Sequence, residues 1–182
     1  MEYVTLNNGI KMPKLGYGVY QTPPEDTKRC VLDAIEVGYR SIDTAQAYGN
    51  EEGVGQALAE CGLPREEFFL TTKVWITNTG YEKAKASIED SMQKLGTDYL
   101  DLLLIHQPFG DYYGTYRAME EFYEACHRCF QLRTGPLLRY RAFCKYQASR
   151  QPGGDPCIPA AKSCQGIFAE VWLSDRVLGT IC

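Results

Sequence analysis

The chain has 182 residues and a formal net charge of −4 at pH 7, enough for one ordinary domain and too little for two comfortable ones. With 19 basic against 23 acidic residues and no long basic run, neither nucleic acid nor an anionic membrane is expected as the main partner. The opening residues lack the regions of a secretion signal, and the longest apolar run, "YLDLLLIH", is strand-sized; the expected setting is cytoplasmic, where eight cysteines do not read as a disulfide framework.

In chain order, Asn8-Gly9 between "YVTL" and "IKM" predicts a hairpin. "KLGYGVY" reads as a short strand. Pro23-Pro24 open a helix with Cys30, Val31, Ala34 and Ile35 on one face, and Gly38 closes it. "YRSIDT" is the second strand of the series. Asn50 is placed to cap a helix carrying Val54, Ala57 and Leu58, which Gly62 ends. "EFFLTTKVW" is the third strand. Ala84, Ile88, Met92 and Leu95 then mark one buried stripe of a helix. "TDYLDLLLIH" is the fourth strand, nearly continuous in apolar residues because both its faces are expected to be covered. Tyr116, Met119, Phe122 and Tyr123 mark a fourth helix.

Four strand–helix units in succession predict an α/β fold with parallel strands and right-handed crossovers. Two architectures compete, a doubly wound open sheet and a (β/α)8 barrel. "GYGVY" contains neither GxGxxG nor GKS/T, so a Rossmann or P-loop phosphate site finds no support.

The chemistry gathers at strand ends. Asp43 closes the second strand, Lys73 the third and His106 the fourth, while Tyr48 lies in the loop after the second. In a parallel barrel these positions converge on the C-terminal rim. A phenol titrates near 10 in water, and a neighbouring ammonium favours its anion. Lys73 is expected to supply that ammonium and Asp43 to hold it, with His106 orienting a carbonyl oxygen. Each residue alone has a plainer reading: a turn cap, a solvated lysine, a satisfied core histidine, one of thirteen tyrosines. Together they read as a proton-transfer cluster.

"LGYGVYQ", "AIEVGYRSIDTAQAYGNEEGVGQAL", "TTKVW" and "KLGTDYLDLLLIHQP" resemble the aldo-keto reductases over residues 1 to about 125. Gln107 stands where many eukaryotic members carry Trp, so the chain looks closer to bacterial, diketogluconate reductase-like members. The resemblance implies a (β/α)8 barrel whose N-terminal hairpin plugs the bottom. It implies NAD(P)H-dependent reduction of a small aldehyde or ketone, with NADP(H) as cofactor and no metal. By that pattern Tyr48 donates the proton, Lys73 and Asp43 tune it, and His106 contacts the substrate. Gly18, Val19, Tyr20 and Asp43 match cofactor-side positions, and Tyr20 and Trp75 line the substrate cleft. The intact protein would be monomeric.

From residue 126 the periodic order stops, and six of the eight cysteines lie between Cys126 and Cys182. The family pattern implies strands reading roughly RAIGVSNF and NQVETH here, then ESWAPFAEG. Residues 127–132 written as CAT CGG TGT TTC CAA CTT give ATC GGT GTT TCC AAC, or IGVSN, one base later. Residues 150–157 shift likewise to VNQVETH, and residues 171–182 to YGCQIESWAPF, with a stop expected after Cys182. The expectation is therefore a half barrel over residues 1–125, formed by a hairpin and four β/α units. A frame-shifted, poorly ordered tail over residues 126–182 would follow it. Such a chain would lack the strands that hold the nicotinamide. It would expose two strand edges, self-associate, and be inactive. Two alternatives stand beside it: a non-catalytic half barrel that dimerises, and a zinc-dependent interaction protein using Cys126, Cys129, His127, Cys157 and Cys164.

Overall fold

Glycine and proline punctuate the chain where the sequence predicts. In a computed structural model, which describes residues 1–6, 9–126 and 131–133 and side chains as far as residue 123, strands β1 (Tyr3–Thr5) and β2 (Lys11–Pro13) form an antiparallel hairpin. Asn8 of its turn lies outside the described residues; Gly9 follows at φ +87°. The described residues belong to a single unit, Met1–Leu138.

Helices and strands then alternate. β3 (Tyr17–Gly18) leads to α1 (Pro24–Glu36), β4 (Ser41–Asp43) to α2 (Glu51–Glu60), and β5 (Phe69–Val74) to α3 (Tyr81–Leu95). β6 (Leu102–Ile105) leads to α4 (Tyr112–Cys126). α1 closes with two capping bonds, Gly38 N–H to Ile35 O and Tyr39 N–H to Ala34 O. α3 repeats them with Gly96 to Gln93 and Thr97 to Met92. Both glycines sit at positive φ, +104° and +63°, the left-handed turn that lets a helix satisfy its last carbonyls.

A fifth strand, β7 (Gln131–Arg133), pairs parallel with β6, one more than the four units read from the sequence. The sheet order is β3-β4-β5-β6-β7, all parallel. Strand order that never reverses, combined with crossovers of one hand, puts every helix on the same face. α1 packs on α2, α2 on α3, and α3 on α4, as that requires. A doubly wound sheet needs a reversal and helices on both faces. The barrel reading holds over the described residues.

The pleat separates core from site. Thr72 Oγ1 donates to Glu51 of α2, so Leu70, Thr72 and Val74 face the helices, and alternation turns Thr71 and Lys73 the other way. Register carries this across the sheet: Ile42 pairs with Leu70, Asp43 with Thr71, Leu103 with Thr72 and Leu104 with Lys73. Ile42, Leu70, Leu103 and Val74 are fully buried with Val31, Val54 and Ile88 of the helices, each contributing roughly 1.5–3 kcal/mol of hydrophobic stabilisation. Two side-chain expectations are corrected. Met92 is only half-buried, whereas Ser91 is fully buried. Asn50 occupies the N-cap position of α2, but its side chain makes no capping bond.

Candidate active site

Asp43 ends β4, Lys73 is the penultimate residue of β5, and His106 follows β6 directly. All three fall on the face turned away from the helices, and Tyr48 reaches the same rim from a 3-10 turn, Gln46–Tyr48. The Lys73 ammonium donates to Asp43 Oδ2 at 2.6 Å, to the Thr44 carbonyl at 3.0 Å and to Tyr48 Oη at 3.3 Å. Three acceptors for three ammonium protons leave the lysine fully engaged. Its side chain is 13% exposed and that of Asp43 37%, so the pair is sheltered at the rim with the carboxylate on the wetter side.

His106 completes the cluster through its ring. It meets Tyr48 edge-on with centroids 5.6 Å apart and Trp75 at 5.1 Å. Burial lowers its pKa below the ordinary 6.5, the Lys73 charge adds to this, and Asp43 opposes it. The imidazole is therefore neutral near pH 7. Its Nδ1 is buried and has no hydrogen-bond partner among the described residues.

The remaining expected residues divide. The exposed Tyr20 ring lies 5.0 Å from Tyr48, and Trp75 directly follows β5, so both border the cluster. Gly18 pairs with Asp43 across the β3–β4 ladder. Val19 is different. Its side chain is fully buried, its N–H donates to Asp43 O, and its carbonyl accepts from Thr22 N–H and Asn50 Nδ2. Its backbone polar groups are thus engaged inside the protein.

The role of a layer of polar residues beneath the rim escaped the sequence reading. Asn50, 1% exposed, donates to the Val19 and Thr22 carbonyls and accepts from Thr44 Oγ1 at 2.8 Å. It thus ties the segment after β3 to the end of β4. Glu51, 3% exposed, accepts from Thr72 Oγ1 at 2.6 Å and from Ser91 Oγ at 3.3 Å. Burial raises its pKa above the ordinary 4.5, and the two hydroxyl donors oppose that only in part. Gln46 binds Trp75, Asn78, Ser87 and Ser91. The available signal was periodicity: positions 84, 88, 91 and 95 make a regular helical stripe, and the one polar member faces inward.

The family model for the aldo/keto reductase family matches residues 8–150. The chain belongs to the aldo/keto reductase family. That match runs past residue 125 into the stretch expected to be frame-shifted. Glyoxal reductase of Bacillus subtilis is 49% identical over 123 residues, which are 66% of this chain and 45% of the relative. Among solved structures, an aldo/keto reductase from Brucella melitensis superposes with a TM-score of 0.69 at 43% identity, covering 72% of this chain and 52% of that one. An aldo-keto reductase from Bombyx mori, solved in complex with NADP, gives a TM-score of 0.66 at 32% identity, covering 72% and 50%. The chain spans 38–45% of the length of the curated aldo-keto reductases and other reductases it matches. No helix among the described residues is long and apolar enough to cross a membrane. The same residues contain no metal-binding group; the cysteines of the zinc alternative lie outside the residues whose side chains are described.

Proposed function

We propose that the rim is the proton-donating half of a carbonyl reductase site, with Tyr48 as the acid, Lys73 and Asp43 as its electrostatic support and His106 as the group that orients the carbonyl. The observation that carries this is the Lys73 ammonium, held 2.6 Å from Asp43 and 3.3 Å from the Tyr48 oxygen. When a carbonyl becomes an alkoxide, its oxygen needs a proton as charge develops. Tyr48 gives up that proton, and the ammonium beside it stabilises the phenolate left behind. A neutral His106 donates a hydrogen bond to the carbonyl oxygen without itself ionising. Tyr20 and Trp75 wall the cleft on either side.

The cofactor that fits is NADP(H), which would supply the hydride to the carbonyl carbon. The orphaned Nδ1 of His106, the exposed Tyr20 ring and the Gly18–Asp43 ladder end suit the nicotinamide end of such a molecule. The Ser-Asn and Gln expected to hold its carboxamide, and the loops expected to grip its phosphates, are readable only one base out of register in residues 126–182. The 182 residues are therefore proposed to bind NADP(H) weakly and to turn over no substrate, with residues 1–125 as the family portion. Their partner in the intact barrel is a small aldehyde or ketone; the setting is cytoplasmic, the intact protein is monomeric, and the 182-residue chain self-associates.

The test pairs sequencing with an assay. The coding DNA is resequenced from the codon of Tyr123 to well beyond that of Cys182, and NADPH oxidation with a simple aldehyde is followed for both frames. Turnover by the shifted-frame product alone is the expected result. Full turnover by the present chain, or codons that cannot encode IGVSN and NQVETH, ends the frame-shift reading.

A further inference from the structure

We propose that Gln46 is a positioning residue, whose carboxamide locks the turn carrying Tyr48 to the loop carrying Trp75 and so sets how closely the phenol, imidazole and indole gather. This takes its chemical meaning from the carbonyl-reduction reading, but its test needs no turnover, so the two can fail separately.

The carboxamide is fully used. Oε1 accepts from the Trp75 backbone N–H at 2.9 Å and from Asn78 Nδ2 at 2.9 Å. Nε2 donates to the Ser87 carbonyl at 3.1 Å and to Ser91 Oγ at 3.1 Å. Two lone pairs and two protons are all an amide has. Its orientation is unambiguous, because a backbone N–H fixes the oxygen side and a backbone carbonyl the nitrogen side.

The placement gives those bonds their effect. Gln46 begins the turn that Tyr48 ends. Trp75 and Asn78 bracket the turn Ile76–Asn78, and one oxygen binds both. Tyr48 and Trp75 each pack a ring against His106, at 5.6 and 5.1 Å. Gln46 is therefore a direct polar tie between the two segments that clasp the imidazole. Through Ser91 the tie continues to Glu51 and on to Thr72, the neighbour of Lys73. An error of an ångström at one turn would open the cleft between acid and wall.

The experiment uses the full chain with Trp172→Phe, which leaves Trp75 as the sole tryptophan. A protonated imidazole quenches an adjacent indole, so Trp75 emission against pH reports His106, which faces Lys73, Asp43, Tyr48 and Trp75. The parent should show quenching on acidification with a midpoint below the ordinary histidine value, and His106→Phe should abolish it. Gln46→Ala and Gln46→Met should each cut the quenching amplitude by about half or more, since catalytic groups released from supporting bonds drift by over ~0.5 Å. If neither folds, Ser91→Ala, which removes one of the four bonds, should give a smaller loss. Arg65→Met, at the far end of β5 and β6, controls for general loosening. The proposal is overturned if folded Gln46 variants keep the parent amplitude and midpoint, if Ser91→Ala in their place keeps them, or if Arg65→Met loses as much as the variant it controls.

Discussion

Lys73 and Tyr48 meet at 3.3 Å although their positions are twenty-five residues apart, because β4 and β5 are adjacent and end at the same rim. Lys73→Met keeps the stem and deletes the ammonium, leaving Asp43 without its counter-ion. Losing a hydrogen bond between charged groups costs about 1.5–3 kcal/mol, and the partly exposed Asp43 places this one toward the low end. Urea unfolding should show a lower midpoint at unchanged slope. In a chain continued through the shifted frame, the same change should cut turnover by about 10²–10⁴-fold. An unchanged midpoint would remove the ion pair from the account.

His106 offers a pH test. Its folded pKa lies below 6.5, chiefly because burial penalises the cation. Between the ordinary and the lowered value the unfolded chain binds the extra proton, so this group's contribution to stability is present above pH 6.5 and is lost as pH falls toward the folded pKa. Proton NMR should find one of the two histidines titrating below 6.5, assigned with His127→Gln. A midpoint at or above 6.5 would contradict the half-buried placement of the ring.

Glu51 works in the opposite sense. Its folded pKa is raised by burial, so folding favours the protonated acid. The penalty of ionising it inside is absent below pH 4.5 and grows as pH rises through the raised value. Glu51→Gln should therefore match the parent in acid and become relatively more stable as pH rises. Thermal melts at a series of pH values measure this, and parallel curves for the two proteins would refute it.

Gly55 brings α2 against the end of α3. A methyl group there would collide with the Lys94 carbonyl and the Leu95 backbone, neither of which can move aside as a side chain would. Gly55→Ala is expected to destabilise by about 1–3 kcal/mol through the clash, offset in part by the roughly 0.5–1 kcal/mol that better helix propensity adds. Chemical denaturation would show it; equal or higher stability would mean that the two helices are not in backbone contact.

The rim residues were legible because strands advertise their ends. "SID", "TKV" and "LLLIH" place Asp43, Lys73 and His106 at the same point of an alternating pattern, and a parallel sheet brings such points together. The layer beneath was not legible for the opposite reason. Ser91, Glu51 and Gln46 are polar, and an apolar-face reading assigns polar residues to solvent; it chose Met92 over Ser91 for its side chain rather than its position. Asn50 was read as a helix cap from residue type, yet its amide is spent on the carbonyls of Val19 and Thr22. β7 lay in a stretch with no alternation to mark it, and backbone pairing with β6 makes it visible.

The strand order β3-β4-β5-β6-β7 bears on how the chain is made. From β4 onward each strand is hydrogen-bonded to the one synthesised just before it, and α2, α3 and α4 each lean on the preceding helix. Such a sheet is laid out to grow in the direction of translation, each new pairing closing a single helical crossover. Each unit leaving the ribosome finds its template already laid down.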